Sequence, residues 1–109
     1  MNIQRKEAGQ VEINFTYRRH IGPKFNHGSV KIKFDGLQPY SFTSLAVWPE
    51  NDNYEKYVRA GIEQALIELT GSLESTKVVL IEINFNETDS TPNGFQSAAY
   101  IATYNAFLT

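Results

Sequence analysis

Residues 49–85 decide the fold class, and they read PENDNYEKYVRAGIEQALIELTGSLESTKVVLIEINF. The first part has the period of an amphipathic helix, because its apolar residues recur at three- and four-residue spacings: Tyr54, Val58, Ile62, Ala65, Leu66 and Leu69. Asn51 or Asp52 is expected to cap this helix, and Gly71 stands where a left-handed residue commonly ends one. From Val78 onward an apolar run passes into period-two alternation, which predicts a well-covered strand after the helix.

Three further strands are predicted before this helix. Residues 10–18 alternate apolar and polar side chains, which is typical of a strand with one buried face. The same alternation returns over residues 30–35, and residues 40–48 predict the third strand. A polar loop over residues 19–28 separates the first two strands, whereas the short second connection favours an antiparallel hairpin.

A closing helix is predicted after a polar loop over residues 86–94. Thr91 is expected to cap it, and Pro92 suits its first position, where no backbone N–H is needed. The apolar residues of this helix are Phe95, Ala98, Ala99, Ile101, Ala102 and Ala106. The order βββαβα predicts an α+β two-layer sandwich, with a four-stranded sheet and both helices on one face. We expect a single domain over residues 1–109, with residues 1–9 as a flexible or edge segment.

The composition is that of one small folded domain. The chain has 109 residues, of which 41% are hydrophobic and 13% aromatic, enough to build a core. It has no cysteine, which excludes disulfides, thiolate metal sites and a cysteine nucleophile. No apolar run approaches the ~20 residues that span a bilayer, and the N-terminus lacks the apolar segment of a signal peptide. We therefore expect a cytoplasmic protein with no membrane partner.

The net charge of -2 hides an uneven distribution along the chain. Residues 1–34 carry seven cations against two carboxylates, whereas residues 35–109 carry three against ten. Such polarity suits an anionic partner if the fold keeps the two halves apart. If the halves interleave in space, the charges mix and no such field arises.

Motifs for nucleotide, metal or catalytic chemistry are missing from the sequence. Neither glycine-rich phosphate-binding pattern occurs. His20 and His27 lie in one predicted loop without a carboxylate, and a zinc site needs at least a third ligand. No acid, base and nucleophile can be assigned from their spacing. We therefore predict no cofactor, no metal, no nucleotide and no enzymatic activity.

Two polar segments are the candidate functional sites. Residues 17–28 interleave cations with an aromatic ring, a mixture that contacts phosphates and stacks on bases. The alternative is a solvated loop with Phe25 packed on the sheet. Residues 86–93 lead into a helix N-terminus, which attracts anions. The alternative there is local turn chemistry, which the carboxylates of Glu87 and Asp89 favour because they would repel phosphate.

The sequence resembles domain IV of translation elongation factor G over about residues 10–108. The matching residues are Tyr17-Arg18, the segment FNHGSVKI at 25–32, the helix YVRAGIEQAL at 57–66, and Ala98, Ala102 and Asn105-Ala106-Phe107 near the end. The resemblance implies the ribosomal protein S5 domain 2-like fold, with a left-handed βαβ crossover. In that family the domain is a protruding arm that reaches the ribosomal decoding site, and its tip is formed by two loops.

On this chain the two tip loops correspond to residues 22–28 and 86–93. The predicted RNA- or ribosome-binding residues are Arg18, Arg19, His20, Lys24, Phe25, Asn26 and His27. The predicted tip-loop residues are Asn86, Glu87, Thr88, Asp89, Ser90 and Asn93. The first loop has fewer glycines than is usual in the family, and residues 86–90 lack the usual histidine.

Two functions remain open from the sequence. The first is a stand-alone module that binds the ribosome or structured RNA without catalysis, since no GTPase motif is present. The second is a protein-interaction or structural module that keeps the scaffold without a ribosomal role, which the acidic residues 35–109 favour. The sequence does not identify the partner or the oligomeric state.

Overall fold

Among the residues that the structure describes, four strands and two helices follow one another in the order βββαβα, as predicted. The computed structural model describes residues 10–73 and 75–108, so the predicted flexible or edge segment 1–9 lies outside the described residues. The elements are β1 (Gln10–Ile21), β2 (Lys24–Pro39), β3 (Ser41–Ser44), α1 (Glu55–Thr70), β4 (Ser75–Asn84) and α2 (Pro92–Phe107).

The strands form one sheet in the order β1-β2-β4-β3. β2 pairs antiparallel with both β1 and β4, whereas β3 and β4 are parallel because α1 connects them. Both helices pack on one face, which confirms the α+β two-layer class. The left-handed sense of the β3–α1–β4 connection, implied by the resemblance, stays a prediction.

The core lies between the central strands and the helices. β2 contributes Val30, Ile32 and Phe34, and β4 contributes Val78 and Leu80, all at most 2% exposed. The helices supply Val58, Ile62, Ala65, Leu66, Phe95, Ala98, Ala99, Ala102, Ala106 and Phe107. The apolar residues of β1 are half-buried because β1 is an edge strand.

A β-bulge in β4 shifts its buried face partway along the strand. Ile32 pairs with Leu80, but the preceding Lys31 pairs with Glu82, so Ile81 has no opposite residue. The buried positions therefore change from even to odd numbers, and Ile83 packs against the core. This bulge explains why the apolar run of β4 passes into alternation.

The helices approach each other closely at Gly61. A Cβ built on Gly61 would lie 2.4 Å from the carbonyl oxygen of Gln96, which is too close for any residue other than glycine. The facing surface of α2 is rich in alanine, which allows the same close approach. The contact fixes α2 over β1 and β2, where it frames the site described below.

Three predicted strand boundaries are wrong. The predicted loop 19–28 is mostly strand, because β1 continues to Ile21 and β2 begins at Lys24. The third strand ends at Ser44 rather than residue 48. The Ser44 side-chain oxygen accepts the N–H of Ala46 (3.2 Å), so the chain leaves the ladder after one further bond.

The start of α1 also differs from the prediction, whereas its end does not. Neither Asn51 nor Asp52 caps the helix; Tyr54 occupies the cap position without a side-chain hydrogen bond. The Asn53 side chain accepts the Glu55 N–H at 2.9 Å instead. Residues 49–52 are used in a separate turn closed by a 3.2 Å backbone bond. Gly71 ends the helix at φ +88°, as predicted.

Candidate nucleic-acid interface

The ends of β1 and β2 extend past the rest of the sheet as a two-stranded ribbon. β2 pairs with β1 from Lys24 onward, but with β4 only from Ser29 onward. Gly22 and Pro23 form the turn, and the φ of Gly22 is +62°, as tight hairpin turns require. Most of this ribbon is not covered by the core, so its residues are largely polar. For that reason its sequence resembles that of a loop, although it forms strands.

One face of the ribbon carries an aromatic and cationic cluster. His20 pairs with Phe25, and their ring centroids lie 4.2 Å apart in an edge-on arrangement. The guanidinium of Arg18 lies 5.3 Å from the centre of the Phe25 ring. Phe25 is therefore half-buried under two polar groups rather than packed on the core.

The opposite face of the ribbon, which is the face that the helices cover elsewhere, carries the other cations. Successive residues of a strand point to opposite faces, so Arg19 and its partner Asn26 face away from Arg18. Lys24 lies on the same face as Arg19. Arg18, Arg19 and Lys24 are all exposed, which places cations on both sides of the ribbon.

The two predicted tip segments meet at His27 and Ser90. The Nδ1 atom of His27 lies 3.0 Å from the Ser90 hydroxyl oxygen, and the Thr91 N–H donates to the His27 carbonyl at 3.2 Å. The Ser90 hydroxyl also accepts the Asn86 N–H at 2.8 Å. The loop thus continues along β2 where the pairing with β4 has ended.

Asn26 holds the same two segments together from the other side. Its side-chain oxygen accepts the Thr91 hydroxyl at 2.8 Å and the Asn93 carboxamide at 3.4 Å. Asn26 and His27 are each only 9% exposed. Of the predicted RNA-binding residues, these two therefore join the ribbon to α2, and the others are more open to solvent.

The tip loop is organised by local turns. The Asn86 side-chain oxygen accepts the N–H groups of Thr88 (2.9 Å) and Asp89 (3.0 Å). Thr91 caps α2 by accepting the Gly94 N–H at 2.9 Å, which confirms the predicted cap. Glu87 and Thr88 remain exposed at the apex of the loop.

Gly28 and Gly94 are part of the site, and the sequence reasoning missed this role. A Cβ on Gly28 would lie 2.5 Å from the carbonyl carbon of Gly94, and one on Gly94 would lie 2.3 Å from the His27 carbonyl oxygen. β2 and the first turn of α2 therefore touch backbone to backbone. Two glycines 66 positions apart gave no local signal of this contact.

The ribbon carries positively charged side chains and no carboxylate of its own. No carboxylate occurs in the sequence between Glu12 and Asp35. Lys31, outside the ribbon, forms ion pairs: its Nζ lies 3.8 Å from a carboxylate oxygen of Glu12 and 3.6 Å from one of Glu82. Within residues 10–73 and 75–108, by contrast, no carboxylate lies within ion-pair distance of the three ribbon cations, Arg18, Arg19 and Lys24.

His27 is held in its neutral form near pH 7. Burial lowers its pKa below the usual 6.5, and the nearby Arg18 charge lowers it further, against a smaller opposing effect of Asp89. A neutral imidazole fits its role here, which is to bond the Ser90 hydroxyl rather than to contact a phosphate.

The described residues show neither a metal-ligand cluster nor a membrane-crossing helix. No three His, Asp or Glu side chains group together among them. Neither α1 nor α2, the helices within that part of the chain, is long and apolar enough to cross a bilayer.

Comparison with known proteins supports the fold. No protein-family model matches the chain, and no curated protein does. The chain is similar to a crystal structure of a protein from Thermus thermophilus, with a TM-score of 0.78 and 20% sequence identity. The match covers 97% of this chain and 16% of that one. At this identity the likeness shows the fold alone, shared with one part of a much longer chain.

Proposed function

We propose that this domain binds RNA, including RNA on a ribosomal surface, through the β1–β2 ribbon and without catalysis. The observation that carries the proposal is the projecting ribbon, whose three exposed cations have no carboxylate partner among the described residues. Unpaired cations on an accessible strand pair bind phosphates readily, because binding releases counterions from the RNA.

The resemblance to domain IV of elongation factor G supports the same proposal. That domain is an arm with a two-loop tip, and here the corresponding segments meet at His27 and Ser90. In this chain the interior of the tip is used for structure, since Asn26 and His27 are buried. The contacts to RNA are therefore assigned to Arg18, Arg19 and Lys24, with Phe25 and His20 beside them.

The test compares two triple variants with equal charge change. One replaces Arg18, Arg19 and Lys24 with glutamine; the control replaces Lys33, Lys56 and Lys77, which lie outside the ribbon. Binding to a labelled structured RNA is measured by anisotropy from low to moderate salt. We expect the ribbon variant to weaken binding by about tenfold or more and to lower the salt slope by about 2.

Two results would contradict this function. Equal weakening in both triple variants would show that only net charge matters. Absence of binding at low salt, both to RNA and in ribosome co-sedimentation, would remove the proposal altogether.

The second candidate, a protein-interaction module, is favoured by the opposite edge of the sheet. Residues 36–49 contain no charged side chain, although they include the edge strand β3. Just after it, Leu45 is 64% exposed and Val47 86% exposed. Edge strands are usually protected by charge, and an uncharged edge strand followed by exposed apolar side chains suits contact with a protein.

Affinity capture from lysate, with and without nuclease, separates the two candidates. A protein-binding role predicts partners that survive nuclease treatment and are lost when Val47→Lys places a charge in the exposed apolar segment after β3. Partners lost on nuclease treatment, and unaffected by Val47→Lys, would exclude this second function.

A further inference from the structure

A polar groove lies on the Arg19 side of the ribbon, between the end of β1 and the helices. Its volume is about 460 Å³, which is within the range of small-molecule sites. Its lining includes Tyr17, Arg19, Gln64, Asn93, Gln96 and Tyr100. They come from β1, α1 and α2, so the groove exists only because α2 packs over the end of β1.

The lining combines the groups that recognise a nucleotide base. Two tyrosines, Tyr17 and Tyr100, are among the lining residues, and aromatic side chains stack on bases. The three carboxamides can both donate to and accept from a base edge. One guanidinium can contact a phosphate, and no carboxylate lines the groove. Gln96 has no hydrogen-bond partner for its carboxamide among the described residues, so it is available to a ligand.

The groove has a cationic end and an aromatic end. Arg19 pairs with Asn26, whose side-chain oxygen lies 3.4 Å from the Asn93 carboxamide, so the cation lies near the start of α2. Tyr100 lies seven residues further along α2, which is about 10 Å along the helix axis. The spacing suits a nucleotide with its phosphate at Arg19 and its base toward Tyr100.

The aromatic end is fixed in position before any ligand arrives. The hydroxyl of Tyr100 donates to the Glu68 carboxylate, and the Tyr104 hydroxyl donates to the same oxygen at 2.7 Å. The ring centroids of Tyr100 and Tyr104 lie 5.0 Å apart. The Glu68 charge also disfavours a phosphate at this end, which strengthens the polarity of the groove.

We propose that this groove holds one unpaired base of an RNA strand whose phosphate contacts Arg19. The proposal rests on the RNA-binding function above and deepens it, because it assigns the contact to single-stranded RNA and to one face of the ribbon. Arg18 lies on the other face of the ribbon, outside this groove.

The experiment uses a labelled single-stranded RNA of mixed sequence and two matched pairs of variants. Arg19→Gln is compared with Lys77→Gln, which removes one exposed cation outside the ribbon, and Tyr100→Leu with Tyr100→Phe. We expect about fivefold weaker binding for Arg19→Gln, which loses the phosphate contact, and for Tyr100→Leu, which loses the stacking ring. Each control should weaken binding by less than about twofold. An RNA lacking its bases should remove the effect of Tyr100→Leu but keep that of Arg19→Gln.

The outcomes separate the groove from the wider function. No loss for Tyr100→Leu in a folded variant would overturn the groove and leave RNA binding standing. The same holds if base-paired RNA binds as tightly as the single strand. Equal losses for Lys77→Gln and Arg19→Gln would show that only net charge matters, which would contradict the ribbon as well as the groove. Wild-type protein that binds no RNA at low salt would overturn both.

Discussion

Gly28 on β2 and Gly94 at the start of α2 touch through their backbones. A Cβ on Gly28 would lie 2.5 Å from the Gly94 carbonyl carbon, closer than any side chain can come. The contact brings the helix start onto the ribbon and sets the distance between Arg19 and α2. The groove and the joined tip segments both depend on it.

We expect Gly94→Ala to destabilise the domain by about 2 kcal/mol, because overpacking against fixed backbone outweighs the ~1 kcal/mol gain in helix propensity. Gly71→Ala is the control: its Cβ has nothing within 4 Å, and its φ of +88° costs only about 1 kcal/mol. Denaturant unfolding measures both. A smaller loss for Gly94→Ala than for Gly71→Ala would contradict the close contact.

We expect Ser90→Ala to cost about 1–2 kcal/mol, because it leaves both His27 and the Asn86 N–H without their partner. Thr88→Ala in the same loop is the control, since only the backbone N–H of Thr88 is bonded in the turn. Thermal unfolding compares the two, and equal effects would argue that the tip segments are not joined through Ser90.

The pKa of His27 predicts a pH dependence of stability. Because folding lowers this pKa below 6.5, the unfolded chain binds the proton more readily. The contribution of His27 to stability is therefore full above about pH 6.5 and falls as the pH drops through that value. His27→Gln should flatten the profile of unfolding free energy below about pH 6.5. An unchanged slope in His27→Gln would be inconsistent with this assignment.

Tyr40 should resist ionisation to high pH. Burial and its hydrogen bond to the Glu63 carboxylate raise its pKa to about 12. Arg59 holds the same carboxylate at 2.8 Å and keeps it charged. In NMR titrations of the ring signals we expect Glu63→Gln to lower the Tyr40 pKa toward 10, and Glu82→Gln to leave it unchanged. A Tyr40 signal that titrates near pH 10 in the wild type would contradict the contact.

The element order and the α2 cap could be predicted from the sequence because both depend on local patterns. Period-two alternation identifies the strands, three- and four-residue spacings identify the helices, and Thr91 followed by Pro92 is a local cap signal. The prediction of the α1 cap was wrong because three consecutive polar residues, Asn51, Asp52 and Asn53, all suit a helix start. The turn that uses residues 49–52 takes up the first two, so Asn53 accepts the Glu55 N–H while Tyr54 occupies the cap position.

The site was predicted only in part, because its geometry depends on contacts between distant residues. The composition of residues 17–28 indicated the cations of the ribbon. It did not indicate the strands, because a strand pair that no core covers has the same polar composition as a loop. The burial of His27 depends on Ser90, 63 positions away. The groove needs β1, α1 and α2 together, so no stretch of sequence indicates it.

Chemical-shift mapping with a single-stranded RNA tests the central claim most directly, since it locates the RNA-binding surface residue by residue. With ¹⁵N-labelled protein at low salt, we predict that the perturbed amides cluster at residues 17–25 and 93–100. The shifts should fade as salt rises. Perturbations confined to the β3 edge, residues 41–48, or no perturbation at all, would contradict the account.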